Sequence, residues 1–331
     1  MKNNEDIFFF GAGFSKSLIN AYPTLTELSK YFLDKGLINE DEKIYSNNLE
    51  QLLTYLIAPL PFKTEQQILI DKASYLEKIS AISRYFMDIR KSDPIDKDNE
   101  YILTLAKYIN DNECTCITLN YDLLLEEMLS KEEDYSSYYK IPMLNALSRI
   151  EKDANTNDSA NVFVGGNSVV IRRTKNYYPV NIIKLHGSIN WFYAKDFNNI
   201  YYTESDCNKM ALQGLKSLII PPVLDKTNQY GYNIIQVLWG KAAKEIQNAK
   251  NIYIYGFSFP MTDLSVSYLF KSALSQNKND YTIYVINTDN NLRYKQKRYK
   301  EIFGEDKCNF DFCCKNNLET LAKHLNEKSQ K

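Results

Sequence analysis

The chain has 331 residues, 44% hydrophobic and 13% aromatic, enough for one large α/β domain with insertions or for two ordinary domains. Its 40 Lys+Arg against 41 Asp+Glu leave a net charge of -1. This excludes a global field drawing the chain to nucleic acid or an acidic membrane, so any such partner is confined to a local patch. No apolar run approaches the ~18 residues of a membrane span, and no basic segment leads into an apolar one at the N-terminus; a soluble, cytoplasmic protein without membrane contact is expected.

In chain order, Ile7–Phe10 is a continuous apolar run, the pattern of a parallel strand buried on both faces. It opens directly into Gly11-Ala12-Gly13-Phe14-Ser15. Two glycines around one small residue let backbone N–H groups come close to anionic oxygens, so the implied ligand carries phosphate. The spacing is neither G-x-G-x-x-G nor G-x-x-x-x-G-K-[ST], and a plain strand-to-helix turn stands beside that reading. Thr24 followed by Leu25, Leu28, Tyr31 and Phe32 predicts a helix that stops at Gly36. Leu49, Leu52, Leu53 and Leu56 predict a second, ended by Pro59 and Pro61. Leu69, Ala73, Leu76, Ile79, Ile82, Phe86 and Ile89 predict a third, up to Asp93-Pro94. Residues 36–110 therefore read as a helical module inserted between the first two strands of one domain spanning 1–331.

Cys114–Leu119 reads as the next strand, with Asn120-Tyr121-Asp122 on its carboxyl end and a helix over Leu123–Leu129. Polar residues at that edge of an open α/β sheet lie where such sheets bind ligands, although an Asp there also serves as a helix cap. The pattern breaks down over about 131–180, and the polar stretch Glu151–Asn161 reads as a surface insertion. Val180–Leu185 is another apolar strand carrying His186-Gly187-Ser188, and Ile189–Tyr193 is read as extended. Leu218–Ile220 leads into Pro221-Pro222, and Ile234–Ala249 is an amphipathic helix. Ile252–Tyr255 ends in Gly256-Phe257-Ser258, with Asp263 expected to cap the next helix. Tyr281–Ile286 ends in Asn287, residues 291–300 form a basic helix, Phe310–Cys313 reads as a last strand and Leu318–Leu325 as a closing helix. Alternating strands and helices predict a Rossmann-like α/β fold, a parallel sheet with helices on both faces.

The remaining groups read blandly. Six cysteines at 114, 116, 207, 308, 313 and 314 contain no C-x-x-C pair, which disfavours a zinc ribbon or a thioredoxin-like pair. The 26 tyrosines are spread along the chain as a compositional bias. His324 is expected on a solvated helix. Arg293, Lys295, Lys297, Arg298 and Lys300 are expected on a solvated face, making direct nucleic-acid binding unlikely.

Five strand ends thus present GAGFS at 11–15, TLNYD at 118–122, LHGS at 185–188, GFS at 256–258 and IN at 286–287. In this order and composition they resemble the sirtuin family and its sirtuin-like relatives in bacterial anti-phage defence. The resemblance implies an NAD site. In it Asn120 holds the nicotinamide ribose and positions water, Asp122 binds the carboxamide, and His186 is the base. Gly11, Ala12, Gly13, Ser15, Gly256 and Ser258 hold the diphosphate, and Asn287 the adenosine ribose. Two departures matter: no pair of zinc-binding C-x-x-C motifs follows His186, and Tyr22-Pro23-Thr24 replaces the sirtuin Asp-Phe-Arg. What the resemblance then implies is NAD+ glycohydrolase activity with NAD as substrate, no zinc, and NAD depletion in abortive infection. Its alternatives are an NAD-dependent deacylase, an ADP-ribosyltransferase or a non-catalytic NAD-binding subunit. The same resemblance implies a homo-oligomer working beside an ATPase of the DNA-translocase type or a short Argonaute.

Overall fold

The computed structural model describes residues 5–45, 48–130, 135, 138–139, 144–147, 159–164, 167–173, 180–193, 200–202, 215–224, 226, 230 and 233–330. The elements begin with β1 (Asp6–Phe10), α1 (Ala12–Leu18), α2 (Leu25–Asp34), α3 (Leu49–Ile57), α4 (Glu65–Ser92), α5 (Glu100–Asp111), β2 (Thr115–Thr118) and α6 (Leu124–Leu129). Then come β3 (Leu144–Leu147), β4 (Ser159–Val164), β5 (Asn167–Arg173), β6 (Asn181–Lys184), β7 (Gly187–Tyr193), β8 (Ile200–Tyr202) and β9 (Lys216–Ile219). The last part holds α7 (Asn233–Asn248), β10 (Asn251–Tyr255), α8 (Leu264–Leu274), β11 (Thr282–Ile286), α9 (Leu292–Phe303), β12 (Cys308–Asn309) and α10 (Asn317–Ser329).

Six of these strands form a parallel sheet in the order β12-β11-β10-β1-β2-β6. All five residues of β1 are buried because the strand is central and covered on both faces. On one face Phe8 stacks on Tyr253 at 4.7 Å and meets Tyr108 of α5 edge-on at 6.3 Å. On the other, Phe9 meets Phe270 of α8 edge-on at 5.2 Å, and Phe270 meets Phe303 of α9 at 5.5 Å. Both apolar faces of Ile7–Phe10 are thus accounted for, and the predicted α/β architecture is the one adopted. Among the described residues no helix is long and apolar enough to cross a membrane.

Between β1 and β2 the chain runs through five helices, α3 to α5 falling in the span read as a helical insertion. The entry to α2 is a capping box: Thr24 accepts from the Glu27 N–H and Glu27 accepts from the Thr24 N–H. Two buried ion pairs pin α4, Lys78 to Glu42 and Lys63 to Asp71, each at 2.8 Å.

Several expectations are corrected. A second six-stranded sheet, β4-β5-β3-β8-β7-β9, was not anticipated, and β3, β4 and β5 fall in the span read as an irregular insertion. Residues 151–158 of that span and Cys207 lie outside the described residues. Instead of a strand at 310–313, β12 pairs two residues and Cys313 bridges singly to Asn287. His324 is not solvated: its ring packs on Phe312 at 5.1 Å and Tyr284 at 5.5 Å, aromatics supplied by distant segments. In the basic helix α9, Arg298 Nε donates to the Phe259 carbonyl at 2.9 Å and Lys295 Nζ to Asn287 Oδ1 at 3.0 Å, so these two turn inward.

Candidate active site

The carboxyl ends of β1 and β10 abut backbone to backbone. Gly11 N–H donates to the Tyr255 carbonyl and Gly13 N–H to the Gly256 carbonyl, both at 2.9 Å. A Cβ on Gly13 would lie 2.8 Å from Gly256 Cα. Gly256 has φ +68°, and a Cβ there would lie 2.1 Å from Phe14 N. The glycines therefore permit close loop packing. This alters the expected phosphate cradle, because the N–H groups of Gly11, Gly13 and Phe14 are all spent on backbone carbonyls. Gly256→Ala is expected to lower stability by about 3 kcal/mol, through both a left-handed residue and a backbone clash. Equilibrium denaturant unfolding measures it; an unchanged midpoint would show the loops to be loosely packed.

From β2, Asn120 reaches back to this loop. Its Nδ2 donates to the Gly11 carbonyl at 3.0 Å and to Ser15 Oγ at 2.9 Å, and Ser15 Oγ donates to Asp122 Oδ2 at 2.7 Å. Asp122 Oδ1 accepts the Leu124 N–H at 3.1 Å, so the carboxylate is both a cap for α6 and the end of a polar chain. Burial pushes its carboxyl up to about 6, against the opposing pull of Lys184 and the Ser15 hydroxyl. Beneath it, buried Lys184 Nζ donates to the Asp122 carbonyl and to Glu126 Oε1, the latter at 2.8 Å and also bonded by Tyr139 Oη.

His186 follows β6 and is buried, with Nε2 taking no hydrogen bond among the described residues. Burial, reinforced by the positive charge of Lys226 and opposed by Asp263, lowers its pKa to about 3, so the ring is neutral at pH 7. A depressed histidine pKa adds stability that is present above pH 6.5 and lost as pH falls from 6.5 toward 3. The raised Asp122 carboxyl works oppositely between about 6 and 3.8, gaining stability as pH falls. His186→Gln removes the first contribution alone. Between pH 7 and pH 4 its stability relative to wild type should rise by about 3 kcal/mol. Urea unfolding at the two pH values measures this, and parallel curves would refute a buried neutral histidine.

These groups border one cavity of 360 Å³, within the size range of small-ligand sites. Gly11, Ala12, Ser15, Asn120, Asp122, His186, Gly256 and Ser258 line it together. Gly13 does not line it and packs beneath, against Gly256. Asn287 is also outside it: its Nδ2 donates to the Phe257 carbonyl at 3.4 Å, and its Oδ1 accepts from Thr288 N–H and Lys295 Nζ.

Sequence reasoning missed much of the wall. Tyr22 comes from the turn between α1 and α2, Phe86 from α4 and Glu50 from the first turn of α3, while Lys226 and Asp263 form an ion pair on the cavity. Asp263 does stand at the N-terminus of α8, but its side chain makes no cap and turns to Lys226 instead. No short motif marks these positions. Among the described residues no group of three or more His, Cys, Asp or Glu is placed to hold a metal ion.

Solved structures similar to the chain include a Sir2 homologue–NAD complex, 14% identical with a TM-score of 0.47 over 99% of this chain and 92% of that one. A Sir2 homologue mutant–ADP-ribose complex is 15% identical, with a TM-score of 0.46 over 98% of this chain and 93% of that one. No curated protein matches the chain in sequence. The model of the SIR2-like domain matches residues 115–307, from β2 through the loop before β12 and over more than half the length. The chain belongs to the SIR2-like domain family.

Proposed function

We propose that the protein is an NAD+ glycohydrolase, splitting the bond between nicotinamide and ribose to release nicotinamide and ADP-ribose. The observation that supports it is the convergence of Asn120, Asp122 and His186 with the β1 and β10 glycine loops on one cavity. In NAD+ the departing ring is already cationic. The C–N bond breaks with its electron pair passing to the ring nitrogen, and the base leaves neutral without a proton from the protein. The enzyme's tasks are to hold the ribose, accommodate an oxocarbenium-like carbon and aim a water.

Asn120 suits the holding task because its amide is fixed by two donated hydrogen bonds, which orient its oxygen. His186, neutral at pH 7, is a weak base with its pKa near 3, sufficient to take the proton of a water made strongly acidic as its oxygen bonds to the cationic ribose carbon. Asp122, tied to Ser15, faces the carboxamide. By the resemblance to the defence relatives, the reaction depletes NAD in phage-infected cells and is switched on by assembly or by a partner from the same operon.

The test is incubation of the purified chain, alone and with co-encoded proteins, with NAD+, following nicotinamide and ADP-ribose by chromatography. Release of both supports the reading. Turnover that requires an acylated peptide would move it to deacylation, and binding without product to a nucleotide-binding subunit.

A further inference from the structure

Among the described residues that line the cavity, Lys226 is the one lysine or arginine, set against carboxylates at Glu50, Asp122 and Asp263. A dinucleotide brings a diphosphate with two negative charges into this space. Inside a largely buried cavity those charges are repelled by fixed carboxylates unless a cation compensates them. The glycine loop supplies little compensation, since the N–H groups of Gly11, Gly13 and Phe14 are already donated to backbone carbonyls.

We propose that Lys226 is the counter-charge for the diphosphate of the substrate, and that Asp263 competes with the substrate for it. This rests on the NAD reading above. The lysine is buried and its backbone is anchored on both sides. The Leu224 N–H donates to Thr54 Oγ1 of α3 at 2.9 Å, and the Lys226 carbonyl accepts the Tyr230 N–H at 3.1 Å. The ammonium is therefore delivered to the cavity from a fixed point. Asp263 stands at the first turn of α8 with its capping capacity unused, and its carboxylate is paired with Lys226. A phosphate oxygen offers the ammonium the same charge-assisted bond that the carboxylate does, so one partner displaces the other. The two charges accordingly act on affinity with opposite signs: Lys226 raises it and Asp263 lowers it.

Calorimetric titration of the full chain with ADP-ribose, which needs no turnover, tests this. Lys226→Met should weaken binding about 30-fold, and Lys226→Arg should keep it within about threefold of wild type. Asp263→Asn should tighten binding about fivefold and steepen its loss with salt. Lys226→Met with Asp263→Asn, which leaves no unpaired charge at the ion pair, should bind as weakly as Lys226→Met alone. If the pair were only a strap between the loop and α8, both single variants would weaken binding, and the proposal would be overturned. Unchanged binding in Lys226→Met would overturn it while leaving the NAD reading intact. Failure of the wild-type chain to bind ADP-ribose would instead sink both.

Discussion

Replacing Asn120 by alanine is expected to lower the turnover rate for nicotinamide release about 1,000-fold, with His186→Ala losing about 100- to 10,000-fold. Both effects should fall on turnover more than on KM, because the proposed role of each group is at the reacting carbon or the water rather than at the bulk of the dinucleotide. For Asn120 the loss has two parts. The amide oxygen proposed to hold the ribose goes, and so do the two donated bonds that tie Gly11 and Ser15 to the end of β2. Asn120→Asp keeps an oxygen in place but sets a second carboxylate one hydroxyl away from Asp122. It should be nearly as inactive at pH 8 and partly recover toward pH 5. Single-turnover assays with NAD+ and ADP-ribose binding by calorimetry separate the two parts. Full turnover in both alanine variants would remove these residues from the chemistry.

Lys184→Met is expected to cost about 3–5 kcal/mol of folding stability, the largest effect in the scaffold. The ammonium is enclosed at the floor of the site, and its removal leaves Glu126 a buried carboxylate whose remaining hydrogen-bond partner among the described residues is the Tyr139 hydroxyl. Lys184→Met with Glu126→Gln should recover most of the loss, because the neutral amide still accepts from Tyr139 and no charge is stranded. Denaturant unfolding of Lys184→Met, Glu126→Gln and the double variant measures the coupling; additive losses would mean the pair is not what holds the floor. Asp122 hangs from the same lysine through its carbonyl, so the single variant should also lose activity out of proportion to the fraction unfolded.

The parallel sheet was legible because a strand covered on both faces favours apolar residues, and Ile7–Phe10 and Ile252–Tyr255 show this without interruption. The polar residues at their ends were legible for the same reason: they break the runs abruptly. Asn287 shows the limit of that logic. It ends β11 as a ligand residue would, yet β11 is a neighbour of β10 rather than of β1, and its amide is engaged by Lys295 and Thr288. The second sheet escaped notice because its strands are paired mostly antiparallel and interrupted by polar residues, so no continuous apolar run sets them apart from a loop. Lys226, Asp263 and Glu50 were hidden for a different reason. They reach the cavity from three separate segments, and proximity between such segments is a property of packing that no local spacing encodes.

The position of β1 also constrains how the protein is made. Asp6 lies opposite Asn251 on one side and Ile7 opposite Thr115 on the other, so an inner strand of the sheet leaves the ribosome before either of the strands that flank it. It waits for most of the polypeptide to be synthesised before its second neighbour exists. Until Gly256 emerges and seats against Gly13, the wall of the cavity at the end of β1 is incomplete.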